Sequence, residues 1–258
     1  MRCLAPLVVL VLLIISPTAS QAGPPDPFWA EARLWSSAPE AATPGPGERA
    51  GPMRWDPSVN GWLQSLDGML VRVHADGRKS RVLDDVQGVD VDARLAQQVA
   101  VSREPDHRIV LHRWDGDEVS RRVLAEGPAF FAPRISPDGR LVLISESRRE
   151  GGHVWVAPVG GGDTRDLGQG YGPAWAPDSR SILVARLRHD GEQIVESGLW
   201  IIDAASGEAT LFLDDAAVIE LEPAVSPDGL WLAFVDGATG EVVVREMPAA
   251  TAGKGGAP

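Results

Sequence analysis

Apolar residues along this chain fall into short runs separated by turn-forming residues. Residues 141–145, 182–187 and 230–235 are three such runs, and each follows a sequence that contains proline and aspartate. Short apolar runs bounded by Gly, Pro, Asp and Ser are typical of strands, and many short strands with frequent turns indicate an all-β domain. The pattern extends from residue 53 to residue 248, which predicts one all-β domain over that range.

The sequence before each of these runs is an eight-residue element that occurs three times. It reads PRISPDGR from Pro133, PAWAPDSR from Pro173 and PAVSPDGL from Pro223, so the copies start 40 and 50 residues apart. A turn followed by short strands at such a period is the signature of a β-propeller blade. The repeat therefore predicts an all-β, five-bladed propeller once the less regular units around these three copies are counted.

The repeated element is predicted to be a tight turn between the first two strands of a blade. Proline fixes φ at about −65°, aspartate bonds its own backbone, and glycine accepts a positive φ. The predicted turn residues are Ser136, Pro137, Asp138 and Gly139 in the first copy, Pro177 and Asp178 in the second, and Ser226, Pro227, Asp228 and Gly229 in the third. We interpret the aspartates as turn formers and not as a ring of catalytic or metal-binding carboxylates.

Strand-like runs between the turns divide the propeller into five units. Their predicted bounds are residues 53–87, 88–131, 132–172, 173–222 and 223–248, and residues 249–258 form a disordered tail. The fifth unit has only three visible strands. The apolar residues at 28–37, inside a Pro- and Gly-rich leader at 23–52, are predicted to supply the fourth strand, because an unpaired sheet edge would otherwise be exposed. An open arc, or an arc completed by a second chain, remains the alternative.

Three proline–aspartate turns, each followed by an apolar strand, resemble the WD40-like propeller repeat of the TolB type. The resemblance covers residues 53–248, with strong motif matches in three of the five units. It implies an exported scaffold that binds other proteins. The chain departs from TolB itself in showing five units where TolB has six, which puts the specific role of TolB in doubt. Related propellers precede a catalytic domain in peptidases of the prolyl-oligopeptidase type, but no Gly-x-Ser-x-Gly nucleophile sequence occurs here.

Residues 1–22 have the features of a secretory signal peptide. Arg2 precedes an apolar run at residues 4–15, and Ser20-Gln21-Ala22 provides a small-residue cleavage site. The apolar run is shorter than the roughly 20 residues that a membrane-spanning helix needs. We therefore expect cleavage after Ala22, a periplasmic or secreted mature protein, and no stable membrane span after cleavage.

Charge and composition restrict the ligands that we expect. The formal net charge is −12 and no cluster of Lys and Arg occurs, so nucleic acid is not an expected partner. The histidines at 74, 107, 112, 153 and 189 lack the local spacing of a metal site. The sequence therefore predicts neither a metal nor another cofactor.

Two functional classes remain open from the sequence. The first is a non-catalytic scaffold that binds a protein or peptide of the bacterial cell envelope, whose identity the sequence does not give. The second is a small carbohydrate-active hydrolase or lyase, which would need two carboxylates facing each other in the channel. The sequence indicates no such pair, and the first class is the main prediction.

Two further groups of residues carry predictions. A long loop at residues 189–198, with Asp190, Glu192 and Glu196, is the candidate binding loop, because insertions in repeat proteins concentrate on variable faces. A solvated insertion without function is its alternative. Four tryptophans in predicted strands are expected to pack blade against blade: Trp155, Trp175, Trp200 and Trp231.

Overall fold

The computed structural model describes residues 54–56, 61–66, 68–74, 78–84, 90–190 and 194–247. In these ranges the chain forms nineteen strands and one short 3-10 turn, Leu95–Gln97. The strands make five antiparallel sheets, each from consecutive strands. The predicted all-β fold with five blades is therefore confirmed. The signal peptide, the leader with its closing strand at 28–37, and the tail lie outside the described residues.

Each sheet is a meander whose strands pair in chain order. The first sheet has β1 (Arg54–Asp56), β2 (Gly61–Leu66), β3 (Met69–Val73) and β4 (Lys79–Asp84), and the second has β5 (Asp90–Arg94), β6 (Val99–Arg103), β7 (Arg108–Asp115) and β8 (Glu118–Glu126). The third has β9 (Phe130–Ile135), β10 (Leu141–Arg148), β11 (Gly151–Pro158) and β12 (Arg165–Gln169). The fourth has β13 (Tyr171–Trp175), β14 (Ser181–His189), β15 (Ile194–Asp203) and β16 (Ala209–Leu213), and the fifth has β17 (Glu220–Val225), β18 (Trp231–Asp236) and β19 (Val242–Glu246).

Apolar side chains fill the space between successive sheets. Side chains alternate between the two faces of a strand, so one strand serves two interfaces. In β10, Val142 and Ile144 pack against the second sheet, whereas Leu143 packs against the fourth. All three are fully buried, and such burial stabilises the fold by about 1.5–3 kcal/mol for each side chain. Stacked sheets that share their cores in this way are what a propeller requires.

The sequence predicted that four tryptophans pack between blades, and the structure confirms this for three of them. Trp155 packs on the core between the second and third sheets, and Trp175 and Trp200 pack on the core between the third and fourth. Trp175 Nε1 also donates a hydrogen bond of 3.2 Å to the carbonyl oxygen of Arg134 in the preceding sheet. Trp231 differs, because its buried Nε1 has no hydrogen-bond partner and its ring joins none of the described core clusters.

The first strands of three sheets start earlier than the repeat indicates. β9, β13 and β17 begin two or three residues before Pro133, Pro173 and Pro223. Proline lacks an N–H and is a natural strand boundary in a sequence, yet here it lies inside the strand next to a β-bulge. The boundary between neighbouring blades accordingly falls a few residues N-terminal of the predicted one.

The fifth sheet differs from the other four. Within the described residues it contains three strands, and β19 has no neighbour on its outer side. Successive sheets pack against one another from the first to the fifth, but no extensive contact joins the fifth sheet to the first among the described residues. Closure of the ring by residues 28–37 stays a prediction.

Candidate functional site: the channel between the innermost strands

The first strands of the second to fifth sheets surround a channel of about 810 Å³. Each of these strands is the edge of its sheet, so the wall is built by backbone that rigid sheets hold in place. Such preformed concave sites are where propellers and other proteins usually bind their ligands. The wall consists mainly of Asp92 and Arg94 of β5, residues 131, 132, 134 and 135 of β9, residues 170–175 at β13, and residues 222–225 of β17, with Ser145, Glu146 and Gly152 from the second and third strands of the third sheet.

One end of the channel, the corner end, is formed by the turns that the repeat predicted. Pro137, Pro177 and Pro227 line it. Consecutive corners also touch, since the Asp138 amide donates a 3.0 Å hydrogen bond to Ser179 Oγ of the next corner. The three corners therefore occupy equivalent positions around one axis.

The aspartates at the corners bond their own backbone. In the third sheet, Ser136 Oγ donates to Asp138 Oδ1 at 2.7 Å, and the same carboxylate oxygen accepts from the Arg140 amide at 3.1 Å. The fifth sheet repeats this arrangement with Ser226, Asp228 and the Leu230 amide. These bonds hold the pKa of Asp228 below its usual value, with the hydrogen bond from Ser226 as the main cause.

The fourth corner reaches the same turn with different side chains. Ala176 replaces the serine, and Asp178 Oδ1 accepts from the amides of Arg180 and Ser181 instead, at 2.9 and 2.8 Å. Burial favours the neutral acid, but these amides and the Ser181 hydroxyl outweigh it and lower the pKa of Asp178. The corner carboxylates of Asp138, Asp178 and Asp228 thus all act as hydrogen-bond acceptors within their own turns.

All four corners share one backbone conformation, including the one that has no proline. Gln98, Gly139, Ser179 and Gly229 have positive φ, at 53°, 74°, 58° and 73°. The amide of each donates to the carbonyl three residues earlier, at 2.8–3.1 Å. The second sheet therefore makes its corner with the 3-10 turn Leu95–Gln97, a feature that its sequence does not reveal.

The other end of the channel, the bulge end, is formed by β-bulges in β9, β13 and β17. The pairing register shifts in all three strands. At each shift the residue before the proline is left-handed: Ala132, Gly172 and Glu222 have φ of 47°, 53° and 49°. A left-handed conformation is unfavourable for residues other than glycine, so Ala132 and Glu222 are held there by the surrounding strands. Bulges of this kind redirect side chains at sheet edges and next to sites.

Most charges in the channel are already paired. Asp92 Oδ2 accepts from the Ile135 amide at 2.8 Å, and its Oδ1 accepts from Arg94 at 3.0 Å. Arg134 lies 3.2 Å from Asp90. These bonds tie β5 to β9 and neutralise the groups that make them. They leave these residues with a structural role in the wall.

A second polar group, the Arg148 network, lies at the bulge end of the third sheet. Arg148 contacts Glu146 at 2.7 Å, His153 at 2.9 Å and Asp166 at 2.9 Å, and Trp155 Nε1 donates to Glu146 at 2.7 Å. Of these residues Glu146 lines the channel. Burial favours the neutral acid at Asp166, but the Gly168 amide, His153 and Arg148 together lower its pKa.

The predicted binding loop at 189–198 is in fact mostly a hairpin. The inserted residues lengthen β14 and β15, in which Leu187 pairs with Ser197 and Arg188 with Glu196. Glu196 lies in β15 and forms an ion pair with Arg188, and Asp190 is exposed at the end of β14. Glu192 lies outside the described residues. Neither Asp190 nor Glu196 lines the channel. Binding at this hairpin stays a prediction that is separate from the channel.

The residues that the sequence missed are Phe131, Tyr171 and Glu222. Each stands one or two positions before the proline at which the repeat was taken to begin. The only available signal was that these positions differ from copy to copy while the proline does not.

The described part of the chain contains neither a cluster of metal ligands nor a membrane-spanning helix. It holds no group of three or more His, Cys, Asp or Glu placed to bind a metal ion. It also includes no helix with the length and apolar character needed to cross a membrane.

Comparison with curated proteins gives a partial match. No model of a known protein family matches the chain. An uncharacterized peptidase of Bacillus subtilis (strain 168), YuxL, is 30% identical over 138 residues, which cover 40% of this chain and 21% of that protein. This chain therefore corresponds to only about a fifth of the length of the curated relative that it matches.

Solved structures of propeller proteins resemble the chain more widely. A chain of the nidogen/laminin complex matches 78% of this chain and 77% of its own length, with 13% identity and a TM-score of 0.54. An oligogalacturonate lyase in complex with manganese matches 76% and 61%, with 15% identity and a TM-score of 0.53. A putative TolB from Agrobacterium tumefaciens matches 77% and 58%, with 20% identity and a TM-score of 0.43. At these identities the first two matches support the propeller fold and nothing more specific.

Proposed function

We propose that this protein is a non-catalytic interaction module that receives a polypeptide segment of a partner protein in its channel. The observation that carries the proposal is the channel itself. Its volume is about 810 Å³, its walls are backbone held in sheets, and its bulge end exposes Phe131, whose side chain is 42% accessible. The partly buried Tyr171 also lines it. Exposed aromatic side chains in a preformed cavity are typical of sites that bind peptides and other proteins.

The chemistry of the channel supports binding over catalysis. Asp92 accepts hydrogen bonds from a backbone amide and an arginine, and Glu146 accepts from Arg148 and Trp155. Hydrogen bonds from the protein's own groups thus fix both carboxylates in place, whereas a general acid or base must be free to reach the reacting group of a substrate. The expected signal peptide adds a location, so we propose that the module acts outside the cytoplasm on a protein of the cell envelope.

The binding proposal is tested with a displayed library of random linear peptides. The purified protein should select peptides that bind with micromolar affinity. Ala224 is exposed and lines the channel, so Ala224→Trp should weaken binding at least tenfold by filling the cavity. Leu230→Trp is the matched control, because Leu230 is 58% exposed and does not line the channel.

Thermal melting of each variant distinguishes a filled channel from a misfolded protein. Ala224→Leu is a milder variant that adds less volume. Peptides that bind Ala224→Trp as well as the wild-type protein would contradict a site in the channel. So would the failure of the library to give any binder.

One observation favours a carbohydrate-active enzyme as the second candidate. Glu146 lines the channel and is joined through Arg148 to His153 and Asp166, so three titratable groups lie within one network. The enzyme would release new reducing ends from oligosaccharides, including oligogalacturonate. Turnover by the wild-type protein that Glu146→Gln abolishes would replace the first proposal by this one.

A further inference from the structure

Glu222 is the one acidic residue of the channel wall that the described structure leaves uncompensated. It is exposed, lines the bulge end, and makes no hydrogen bond or ion pair within the described part of the chain. The other acidic residues of the wall, Asp92 and Glu146, are each bonded to an arginine. Within the described part of the chain, the bulge end therefore presents one negative charge that no other group pairs with.

The backbone fixes the position of this carboxylate. Glu222 has a φ of 49°, which turns its side chain away from the course that a regular strand would give it. The neighbouring strand accommodates it with glycine. A Cβ added to Gly172 would lie 3.1 Å from Glu222 Cδ and 3.2 Å from Oε1. The carboxylate thus rests against the backbone of β13, in the space that any other residue at position 172 would need.

Aromatic and apolar groups surround the same end. Tyr171 precedes Gly172 in β13, and Phe131 and Ala132 line the facing strand β9. A carboxylate in a cavity that aromatic rings also line suits an organic cation, since the ring faces attract positive charge and the carboxylate supplies the opposite charge. An anion or a second carboxylate would be repelled. The net charge of −12 favours the approach of cationic segments in the same direction.

We infer that the bulge end of the channel binds a lysine or arginine side chain of the partner's polypeptide, with Glu222 as the group that pairs with it. The ligand is thus an extended segment with a basic side chain that enters between Tyr171 and Phe131. The inference rests on the proposed function, because it names the chemistry of the segment that the channel receives.

The test uses two pools of random seven-residue peptides with blocked ends. One pool contains Lys and Arg, and in the other norleucine and glutamine replace them. The full-length protein should retain the basic pool at least fivefold better than the second pool. Glu222→Gln, which keeps the backbone and the size of the side chain, should remove this preference. Glu118→Gln, at an exposed position outside the channel, should keep it.

The possible results distinguish the two claims. Equal retention of both pools by the wild-type protein, with loss of retention in Ala224→Trp, would overturn the role of Glu222 and leave the binding channel standing. A basic preference that survives in Glu222→Gln would also overturn that role. Retention of neither pool would overturn both claims. Melting temperatures of all variants within about 2 °C of the wild type would exclude misfolding, since a surface change normally alters stability by less than about 0.5 kcal/mol.

Discussion

The two ends of the channel are built by the same three strands, but they treat their polar groups in opposite ways. At the corner end, Asp138, Asp178 and Asp228 each bond the backbone of their own turn. At the bulge end, the left-handed residues before the three prolines are Ala132, Gly172 and Glu222. Glu222 makes no hydrogen bond or ion pair within the described structure. The three corners that contain proline thus all keep an aspartate that bonds its own turn, although Ala176 and Ser179 replace the serine and the glycine in the fourth sheet.

The difference between the two ends indicates which positions of a repeat protein are available for function. Positions with one repeated residue, such as the corner prolines, serve the geometry that every blade shares. Positions with repeated geometry and different residues are free to serve a ligand. The left-handed residues before the prolines share one backbone conformation but differ in side chain. Unfavourable φ values of this kind often occur at functional sites.

The bulge end should be the less tolerant of added volume. A Cβ on Gly152 would lie 2.6 Å from the carbonyl oxygen of Gly170 and 2.9 Å from the Tyr171 ring. Gly152→Ala should therefore lower the free energy of unfolding by about 1–3 kcal/mol, because backbone must move. Chemical denaturation measures this. Gly160→Ala is the control, since Gly160 has no atom within 4 Å of a Cβ, and an equal loss in both variants would refute close packing at Gly152.

Removal of residues 28–37 tests whether the fifth sheet is completed by the leader. If they pair with the outer edge of β19, the deletion should lower the melting temperature by several degrees, because about 1 kcal/mol corresponds to roughly 2–4 °C in a domain of this size. Deletion of residues 249–258, the predicted tail, is the control. An unchanged melting point after the first deletion would refute closure by this segment.

Loss of a corner aspartate should affect stability and spare binding. Asp138→Ala removes the acceptor of the Ser136 hydroxyl and the Arg140 amide, which should cost about 1 kcal/mol. Asp163→Ala, at an exposed position outside the channel, should cost less than about 0.5 kcal/mol. Peptide affinity should stay unchanged in both. A large loss of affinity in Asp138→Ala would mean that the corner end takes part in binding.

Relief of the left-handed conformation should stabilise the protein slightly. In Ala132→Gly the steric cost of a positive φ, about 1–2 kcal/mol, disappears, and the greater chain entropy of glycine offsets about half of the gain. The net gain should be below about 1 kcal/mol. Ala224→Gly, at a strand position without positive φ, should lose about 0.5–1 kcal/mol. Chemical denaturation of both variants measures whether the free energy of unfolding rises in Ala132→Gly and falls in Ala224→Gly.

A pH dependence of stability is expected beside the fourth corner. The hydrogen bond from the Ser206 amide, together with the Arg180 guanidinium, lowers the pKa of Asp203 to about 2. A lowered pKa contributes stability that is present above the unfolded pKa of about 3.9 and is lost as the pH falls toward 2. The advantage of the wild type over Asp203→Asn should therefore shrink between about pH 4 and pH 2. An advantage that stays constant over this range would contradict the assignment.

The sequence predicted the architecture and the corners because their causes are local. Proline, aspartate and glycine at fixed offsets define a turn without reference to the rest of the chain. The third corner at Asp138 and the fifth at Asp228 follow this rule. The corner at Gln98 does not, since it reaches a positive φ in a turn that contains no proline, aspartate or glycine.

The candidate site could not be predicted from the sequence, because the contacts that form it are not local. Nothing in the sequence marks Glu222 as left-handed, or Gly172 as the residue that makes room for its carboxylate, since both facts depend on how two strands meet. The insertion at 189–198 was misplaced as a loop because its extra residues extend β14 and β15 in register, with Glu196 opposite Arg188. Added length in a hairpin and added length in a loop look alike in a single sequence.

The most direct test of the account is to map where a selected peptide binds. Backbone amide chemical shifts of the labelled protein should change on titration with the tightest peptide of the library. We expect the largest changes at residues 131–135, 170–175 and 220–225, the walls of the bulge end. Changes confined to the hairpins at 115–118 or 187–197, with those walls unaffected, would contradict it.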